Sequence, residues 1–220
     1  MKHRVVAVIP AFNEARTIAA VLDGVLDAVG YAIVVDDGSL DGTAALASLD
    51  GTVPVVRHPQ RRGVGAALRT GIAEALSMRP EVILTLDADG QHNPEEAPSL
   101  LEPILSGRAD LVVGARDFSK MPVPRQASNL VTARILRGFG VHLPDVQCGF
   151  RAIRREALER LQIEEDGYPW AAEQLIRAQR LGVQMGSVEI ETIRGDKSGV
   201  KPLRDTIRFL RMIWGQAYAG

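Results

Sequence analysis

Short apolar runs alternate along the chain with longer segments whose apolar residues recur at helical spacing. Residues 5–9, 32–35, 53–56, 82–86 and 111–113 are near-continuous apolar runs of strand length, as expected for strands buried on both faces. Ile18, Val21, Leu22, Val25 and Leu26 share one helical face, with Asn13 or Glu14 placed to serve the helix's amino end. Further helices are expected at 43–49 with Asp41 as its cap, at 66–76 opened by Gly63-Val64-Gly65, and at 94–105. Strands alternating with helices in this rhythm predict an α/β fold with a mainly parallel sheet flanked by helices. After Gly114 the rhythm changes. Residues 127–139 and 171–181 read as helices, 149–153 as a short strand, and 183–193 as a strand with one exposed face. No internal repeat or linker is visible, so a single domain is expected.

The tail carries a different pattern. Leu203, Ile207, Leu210 and Trp214 fall on one helical face and Arg204, Arg208 and Arg211 on another. From Arg194 onward, six basic residues (Arg194, Lys197, Lys201, Arg204, Arg208, Arg211) face two acidic ones (Asp196, Asp205). A basic amphipathic helix of this kind either lies in an anionic membrane interface or docks on its own core with its arginines solvated.

Composition narrows the classes. The 220 residues suffice for one α/β domain with a sizeable core. A formal net charge of −1 argues against general nucleic-acid binding. Cys148 is the one cysteine, which excludes a disulfide framework within the chain and fits a reducing compartment. The amino end does not read as a signal peptide, and no stretch is long and apolar enough to cross a bilayer. A role at a membrane would be played from its surface.

Two acidic clusters close two of the predicted strands: Asp36-Asp37, and Asp87 with Asp89. Adjacent strand ends would gather four carboxylates in one crevice, where their repulsion calls for a cation or a donor-rich ligand. Asp87, Asp89 and Gln91 are oxygen donors suited to Mg²⁺ or Mn²⁺. The plainer alternative is that Asp89 or Asn93 caps the helix that follows. Asp36 or Asp37 suits a ribose hydroxyl or a base, or else a simple turn around Gly38. Arg61-Arg62-Gly63-Val64-Gly65 is either a phosphate-binding turn at a helix amino end or a tight strand-to-helix turn. Arg116, Arg125 and Ser128 follow the fifth strand, and arginine binds phosphate by paired hydrogen bonds. His92, beside the acids in sequence, either touches a metal or phosphate or is a surface histidine at a helix start. Cys148 has no histidine partner in a triad arrangement and reads as a packed residue.

In order along the chain, several segments resemble inverting glycosyltransferase family 2 of the GT-A fold. They are Ile9-Pro10-Ala11-Phe12-Asn13-Glu14, the stretch from Val34 to Thr43 containing Asp36-Asp37-Gly38-Ser39, Gly63-Val64-Gly65-Ala66-Ala67, Asp87-Ala88-Asp89-Gly90-Gln91-His92-Asn93-Pro94-Glu95, Gly114-Ala115-Arg116, and Asp145-Val146-Gln147-Cys148-Gly149-Phe150-Arg151. Within that family the set is similar to the polyprenyl-phosphate (dolichyl-phosphate) mannosyltransferase-like synthases. The resemblance implies a nucleotide-sugar-binding half (1–115) and an acceptor-binding half (116–220) ending in the amphipathic helix. It implies a donor site from Pro10, Asn13, Glu14, Asp36, Asp37, Gly63, Asp87 and Ala88, with Mg²⁺ or Mn²⁺ on Asp87, Asp89 and Gln91. Arg116, Arg125, Ser128 and Lys197 would hold the acceptor phosphate, and Asp89, Arg116 and Arg125 would be the catalytic set. Around Arg125 the serine spacing departs from the family pattern, which lets Asn129 take the serine's place; the 194–201 segment departs in wording as well.

The implied reaction moves a hexose from GDP-mannose or a UDP-hexose to a polyprenyl phosphate, at the cytoplasmic face of a membrane. A phosphate monoester is largely ionised at neutral pH, so it needs orientation and charge neutralisation more than a base. A sugar or glycolipid hydroxyl acceptor, the first rival, would need a base, and Glu173 is the late-chain candidate. A nucleotidyltransferase should show a Gly-rich, Arg-containing loop after the first strand, where this chain has Pro10-Ala11-Phe12-Asn13-Glu14. A non-catalytic nucleotide-binding module is the third alternative, against which the intact Asp87, Asp89 and Gln91 argue.

Overall fold

The computed structural model describes residues 4–49, 51–193 and 202–218, with the side chains of the last helix described from 207 to 216. A seven-stranded sheet runs in the order β3-β2-β1-β4-β6-β5-β7. The strands are β1 (Val5–Ala11), β2 (Ala32–Asp36), β3 (Val55–Arg57), β4 (Val82–Thr85), β5 (Leu111–Arg116), β6 (Arg151–Arg154) and β7 (Met185–Ile190). β1 and β2 are buried at every position, as continuous apolar runs covered on both faces should be. β1 pairs in parallel with both β2 and β4, so all three carboxyl ends meet at one rim. The strand order reverses between β1 and β4, and the crevice outside such a reversal is where open α/β sheets bind ligands.

β6 is antiparallel to both neighbours, with Arg151 opposite Thr85 on one side and Val113 on the other. The segment 145–150 that leads into it therefore arrives at the same rim as the end of β4. This strand comes from late in the chain yet lies between β4 and β5.

The helices are α1 (Ile18–Val29), α2 (Thr43–Ala47), α3 (Val64–Ser77), α4 (Ala97–Leu105), α5 (Val123–Arg137), α6 (Arg155–Leu161), α7 (Trp170–Arg180) and α8 (Pro202–Tyr218). α1 buries Ile18, Val21, Leu22 and Val25, the spacing that predicts it. Three differences from the sequence reading have physical causes. α5 begins four residues before the expected 127, because Pro122 and Pro124 suit a helix start. α6 was not expected; it is short and follows β6 without a turn signal. Gly42, at φ 88°, is the residue before α2, and Asp41 serves that end from one position earlier by accepting from Thr43 N–H at 3.2 Å.

The tail helix α8 packs against α7, but not by the stripe the sequence suggests. Met212 and Gln216 are buried, Phe209 and Ile213 partly so, and Arg180 donates to Gln216 Oε1 at 2.9 Å. Ile207, Leu210 and Trp214 stay 44%, 56% and 68% exposed. Arg194, Lys197 and Lys201 lie outside the described residues, as do the side chains of Leu203 and Arg204. Among the described residues no helix is long and apolar enough to cross a membrane.

α3 lies close on the sheet at Gly71, where an added Cβ would come within 2.4 Å of Val8 Cγ1 and 2.9 Å of Val35 Cγ2. Both valines are fully buried and have no room to retreat. Gly71→Ala is expected to cost about 1–3 kcal/mol by overpacking, read as a lower urea midpoint with an unchanged m-value.

Candidate active site

The end of β4 supplies the central acids. Asp87 is recessed in the rim but open to the crevice, with 41% of its side-chain surface accessible. Its Oδ2 lies 3.8 Å from His92 Nε2. Burial works against its ionisation, but the neighbouring His92 ring and the charges of Arg116 and Arg151 outweigh it and hold the carboxyl below its usual range. Asp89 moves the opposite way: burial first, then the charge of Asp87, raise its carboxyl. Two carboxyls driven apart in this manner mark a site that a cation would relieve. Gly149 makes room for Asp87, since a Cβ there would stand 2.6 Å from Asp87 Oδ2. Thr85 fixes that glycine by donating to its carbonyl at 2.8 Å.

Gln91 is buried and tied at both ends of its amide. Its Nε2 donates to Asp89 Oδ2 at 2.5 Å, and its Oε1 accepts from Arg125 Nη1 at 2.6 Å. It stands here as a bridge between Asp89 and Arg125, with its amide oxygen turned to the guanidinium. Asn93, not Asp89, caps the following turn, accepting from Glu95 N–H at 3.1 Å. Ala88 is buried, and its carbonyl accepts from Thr17 at 2.7 Å. His92 is buried against the Phe150 ring at 5.5 Å, with Nδ1 unpartnered among the described residues. No cluster of three His, Cys, Asp or Glu capable of holding a metal occurs among the described residues. The cation fit therefore rests on the carboxylate pair, which suits Mg²⁺, an ion usually held by one or two carboxylates plus substrate phosphates.

The loop after β1 is stitched to the loop after β2. Asn13, at φ 57°, donates its N–H to Ser39 Oγ at 2.8 Å and accepts from Leu40 N–H through Oδ1 at 2.9 Å. Glu14 N–H donates to Thr43 Oγ1 at 2.9 Å. Pro10 pairs in register with Val35 inside the sheet.

Asp36 and Asp37 are both engaged by the loops that follow β2 and β3. Asp36 is fully buried, accepting from Ser39 N–H at 3.0 Å and standing 3.0 Å from Arg57 Nε. Asp37 accepts from Arg62 N–H, Gly63 N–H and His58 Nδ1, each at 2.8 Å. His58 Nε2 reaches Thr70 Oγ1 at 3.0 Å. Asp37 thus anchors the 58–63 loop, while Asp36 Oδ2 has no hydrogen-bond partner among the described residues.

The glycine turn is corrected too. A Cβ on Gly63 would lie 2.3 Å from Asp166 O, and one on Gly65 2.2 Å from Glu165 O. Ala66 N–H donates to Asp166 O at 3.1 Å. The amino end of α3 is used by the chain itself and is not a phosphate cradle.

On the far wall, Arg116 grips Asp145 bidentately, Nε to Oδ2 at 2.7 Å and Nη2 to Oδ1 at 3.2 Å. Asp145 is buried and also accepts from Asn129 Nδ2 at 2.5 Å and from the N–H groups of Gln147 and Cys148, both at 3.1 Å. Burial opposes its charge, but Arg116 and these donors hold the carboxyl below its usual range. Asn129 is therefore committed to Asp145 and does not replace a phosphate-binding serine. Ser128 is exposed and accepts from Gln147 Nε2 at 3.2 Å. Lys197 lies outside the described residues.

Sequence reasoning missed Arg151, a fully buried arginine. It donates to the carbonyls of Cys148, Val146 and Ala171 at 2.7, 2.9 and 3.0 Å and to Gln174 Oε1 at 2.7 Å, and burial lowers its guanidinium to about 10. The one available signal was its place in the Asp145–Arg151 segment. Cys148 is buried, its thiol pushed up to about 12 by burial, as an inert packed cysteine should be. Glu173, the candidate base for a hydroxyl acceptor, is buried, accepts from Glu164 and Glu165 N–H at 3.0 and 2.8 Å, and pairs with Arg177 at 2.8 Å.

Comparison with known proteins fits this geometry. The sequence model of "Glycosyl transferase family 2" matches residues 6–162. A UDP-N-acetylglucosamine–dolichyl-phosphate N-acetylglucosaminyltransferase of Methanococcus voltae is 32% identical over 213 residues, covering 84% of each chain. An undecaprenyl-phosphate mannosyltransferase of Micrococcus luteus is 34% identical over 204 residues, covering 85% of this chain and 82% of that one. Among solved structures, a glucosyl-3-phosphoglycerate synthase of Mycobacterium tuberculosis, in complex with Mn²⁺, UDP-glucose and phosphoglyceric acid, superposes with a TM-score of 0.79 at 25% identity, covering 97% of this chain and 79% of that one. The architecture is thus GT-A-like, as the resemblance implied.

Asp145→Asn would leave the buried Arg116 without its charge partner, at an expected cost of about 3 kcal/mol. Because Asp145 is held low in the folded state, its contribution is complete above the ordinary carboxylate range and fades as pH falls through its folded value. Urea midpoints measured from neutral to acid pH should fall more steeply for the wild type than for the variant.

Proposed function

The chain belongs to glycosyl transferase family 2, and from that premise we propose that it moves a hexose from a nucleoside-diphosphate sugar to a polyprenyl phosphate, with inversion. The observation that carries the reading is the opposition of charges across the crevice. Asp87 and Asp89 stand on one wall, and Arg116 and Arg125 come from β5 and α5 on the other.

Asp87 and Asp89 would hold Mg²⁺ or Mn²⁺, which when bound supplies charge neutralisation for the departing diphosphate. The loop from Pro10 to Glu14 borders the donor side, with its backbone set by Ser39, Leu40 and Thr43. Asp145 orients Arg116 toward the rim, and Arg125 meets the same rim through Gln91. Guanidinium groups there orient a dianionic phosphate and offset its charge, which is what such a nucleophile needs. The commitment of Glu173 to the 164–165 backbone favours this acceptor over a hydroxyl, which would need a base.

The lipid would be met at the surface of an anionic bilayer. Ile207, Leu210 and Trp214 with Arg211 on α8 offer apolar and basic groups together, and Val123, Leu130 and Val131 on α5 are also exposed. The relatives named for dolichyl- and undecaprenyl-phosphate support this substrate class.

Two experiments test the reading. A panel of GDP-mannose, UDP-glucose and UDP-N-acetylglucosamine with a polyprenyl phosphate should give lipid-linked product from one donor. EDTA should abolish it, and Asp89→Ala should lower kcat by about a thousandfold with the fold intact. Turnover in EDTA, or transfer to sugar hydroxyls alone, would count against it. Flotation with phosphatidylglycerol vesicles should recover the protein at low salt, and Leu210→Glu with Trp214→Ser should abolish recovery without changing the circular dichroism.

A further inference from the structure

Arg151 is fully buried, and the hydrogen bonds it makes go to neutral oxygens. An apolar side chain of similar volume would fill such a place at less cost, so a buried guanidinium calls for a reason. The reason lies in where its donors go. Nε donates to Cys148 O and Nη2 to Val146 O, while Nη1 donates to Ala171 O and Gln174 Oε1 near the amino end of α7. Its Cζ lies 5.2 Å from the Trp170 ring. One planar group thus ties the 146–148 backbone to α7.

The rest of that backbone is held from other directions. Gly149 O accepts from Thr85 Oγ1 at 2.8 Å, Phe150 O accepts from Gly114 N–H at 2.9 Å, and the N–H groups of Gln147 and Cys148 go to Asp145. The segment also touches both walls of the crevice. At one end Asp145 grips Arg116. At the other, Gly149 lies so close to Asp87 that a Cβ would stand 2.6 Å from Oδ2. A shift of the 146 and 148 carbonyls would therefore move Arg116 relative to Asp87. We propose that Arg151 is a positioning residue for the transfer: by pinning these carbonyls to α7 it fixes the separation between Arg116, on the acceptor phosphate, and Asp87, on the cation and donor diphosphate. Arg151 itself touches neither substrate. The inference rests on the assignment of the acceptor phosphate to Arg116 and of the cation to Asp87. Lysine cannot stand in for it, because an ammonium has no planar fork to span oxygens that lie in several directions.

The test uses the full chain with a polyprenyl phosphate and the nucleotide sugar it turns over, with kcat taken per folded molecule by circular dichroism. Arg151→Lys keeps a positive charge near Asp87 and loses the fork. Its kcat should fall about a hundredfold, the scale of a misplacement of about 1 Å, with KM for the donor within about threefold of wild type. Arg116→Lys should also be slow, and the double variant no slower than Arg116→Lys alone, because both changes remove one shared interaction. Gln174→Met withdraws a single partner of Arg151 Nη1 and should lower kcat about tenfold; it decides the matter where Arg151→Lys does not fold. Wild-type kcat in the folded variant of Arg151 or Gln174, or losses that multiply in the double variant, overturns the positioning role and leaves the site reading standing. Wild-type kcat in Arg116→Lys, or no lipid-linked product from any donor, overturns the acceptor reading and the positioning role with it.

Discussion

Asp87 and Asp89 stand one residue apart where β4 leaves the sheet, and burial together with the charge of the first raises the carboxyl of the second. Much of the surrounding structure answers that concentration of negative charge. Arg116 and Arg151 bring positive charge toward Asp87, His92 approaches it directly, and Arg125 reaches Asp89 through Gln91. The arginines are themselves expensive to bury, and each is compensated: Arg116 by Asp145, Arg151 by three carbonyls and an amide. The site is a balance of paired charges in which a dication and a phosphate would be the next two partners.

Holding that balance requires loops to approach one another closely, and small residues permit it. Gly149 lets the 145–150 segment pass over Asp87. Gly63 and Gly65 let α3 take the backbone carbonyls of Glu165 and Asp166 against its amino end, where Arg69 also contacts Glu164 O and the Asp166 carboxylate. Glu173 then holds the same loop from the other side by its backbone N–H groups.

Strand periodicity made the parallel half of the sheet legible, because runs such as that of β1 have little alternative but a doubly covered strand. It could not disclose that β6 runs antiparallel between β4 and β5, since pairing direction is decided by what packs above and below. The acids at the end of β4 were legible as a pair. The roles of Asp36 and Asp37 were not: an acid that anchors a loop and one that faces a ligand look alike until their donors, here Ser39 and Arg57, or Arg62, Gly63 and His58, are known. The tail shows the same limit. Its period announced a helix, yet the face around Met212 docks while the stripe through Leu210 and Trp214 faces outward, because α7 selects the contact.

The late arrival of β6 has a consequence for biosynthesis. β4 and β5 are made long before residues 151–154, yet these residues must enter between them before the two can belong to one sheet. Until then each exposes an unpaired edge of apolar residues, the kind of surface that pairs with the wrong chain. A nascent polypeptide stopped near residue 115 would hold β1 to β4 but not the strand that joins β5 to them. Closure of the sheet is thus a long-range event placed late in translation, and it is slow in the way non-local pairing is slow.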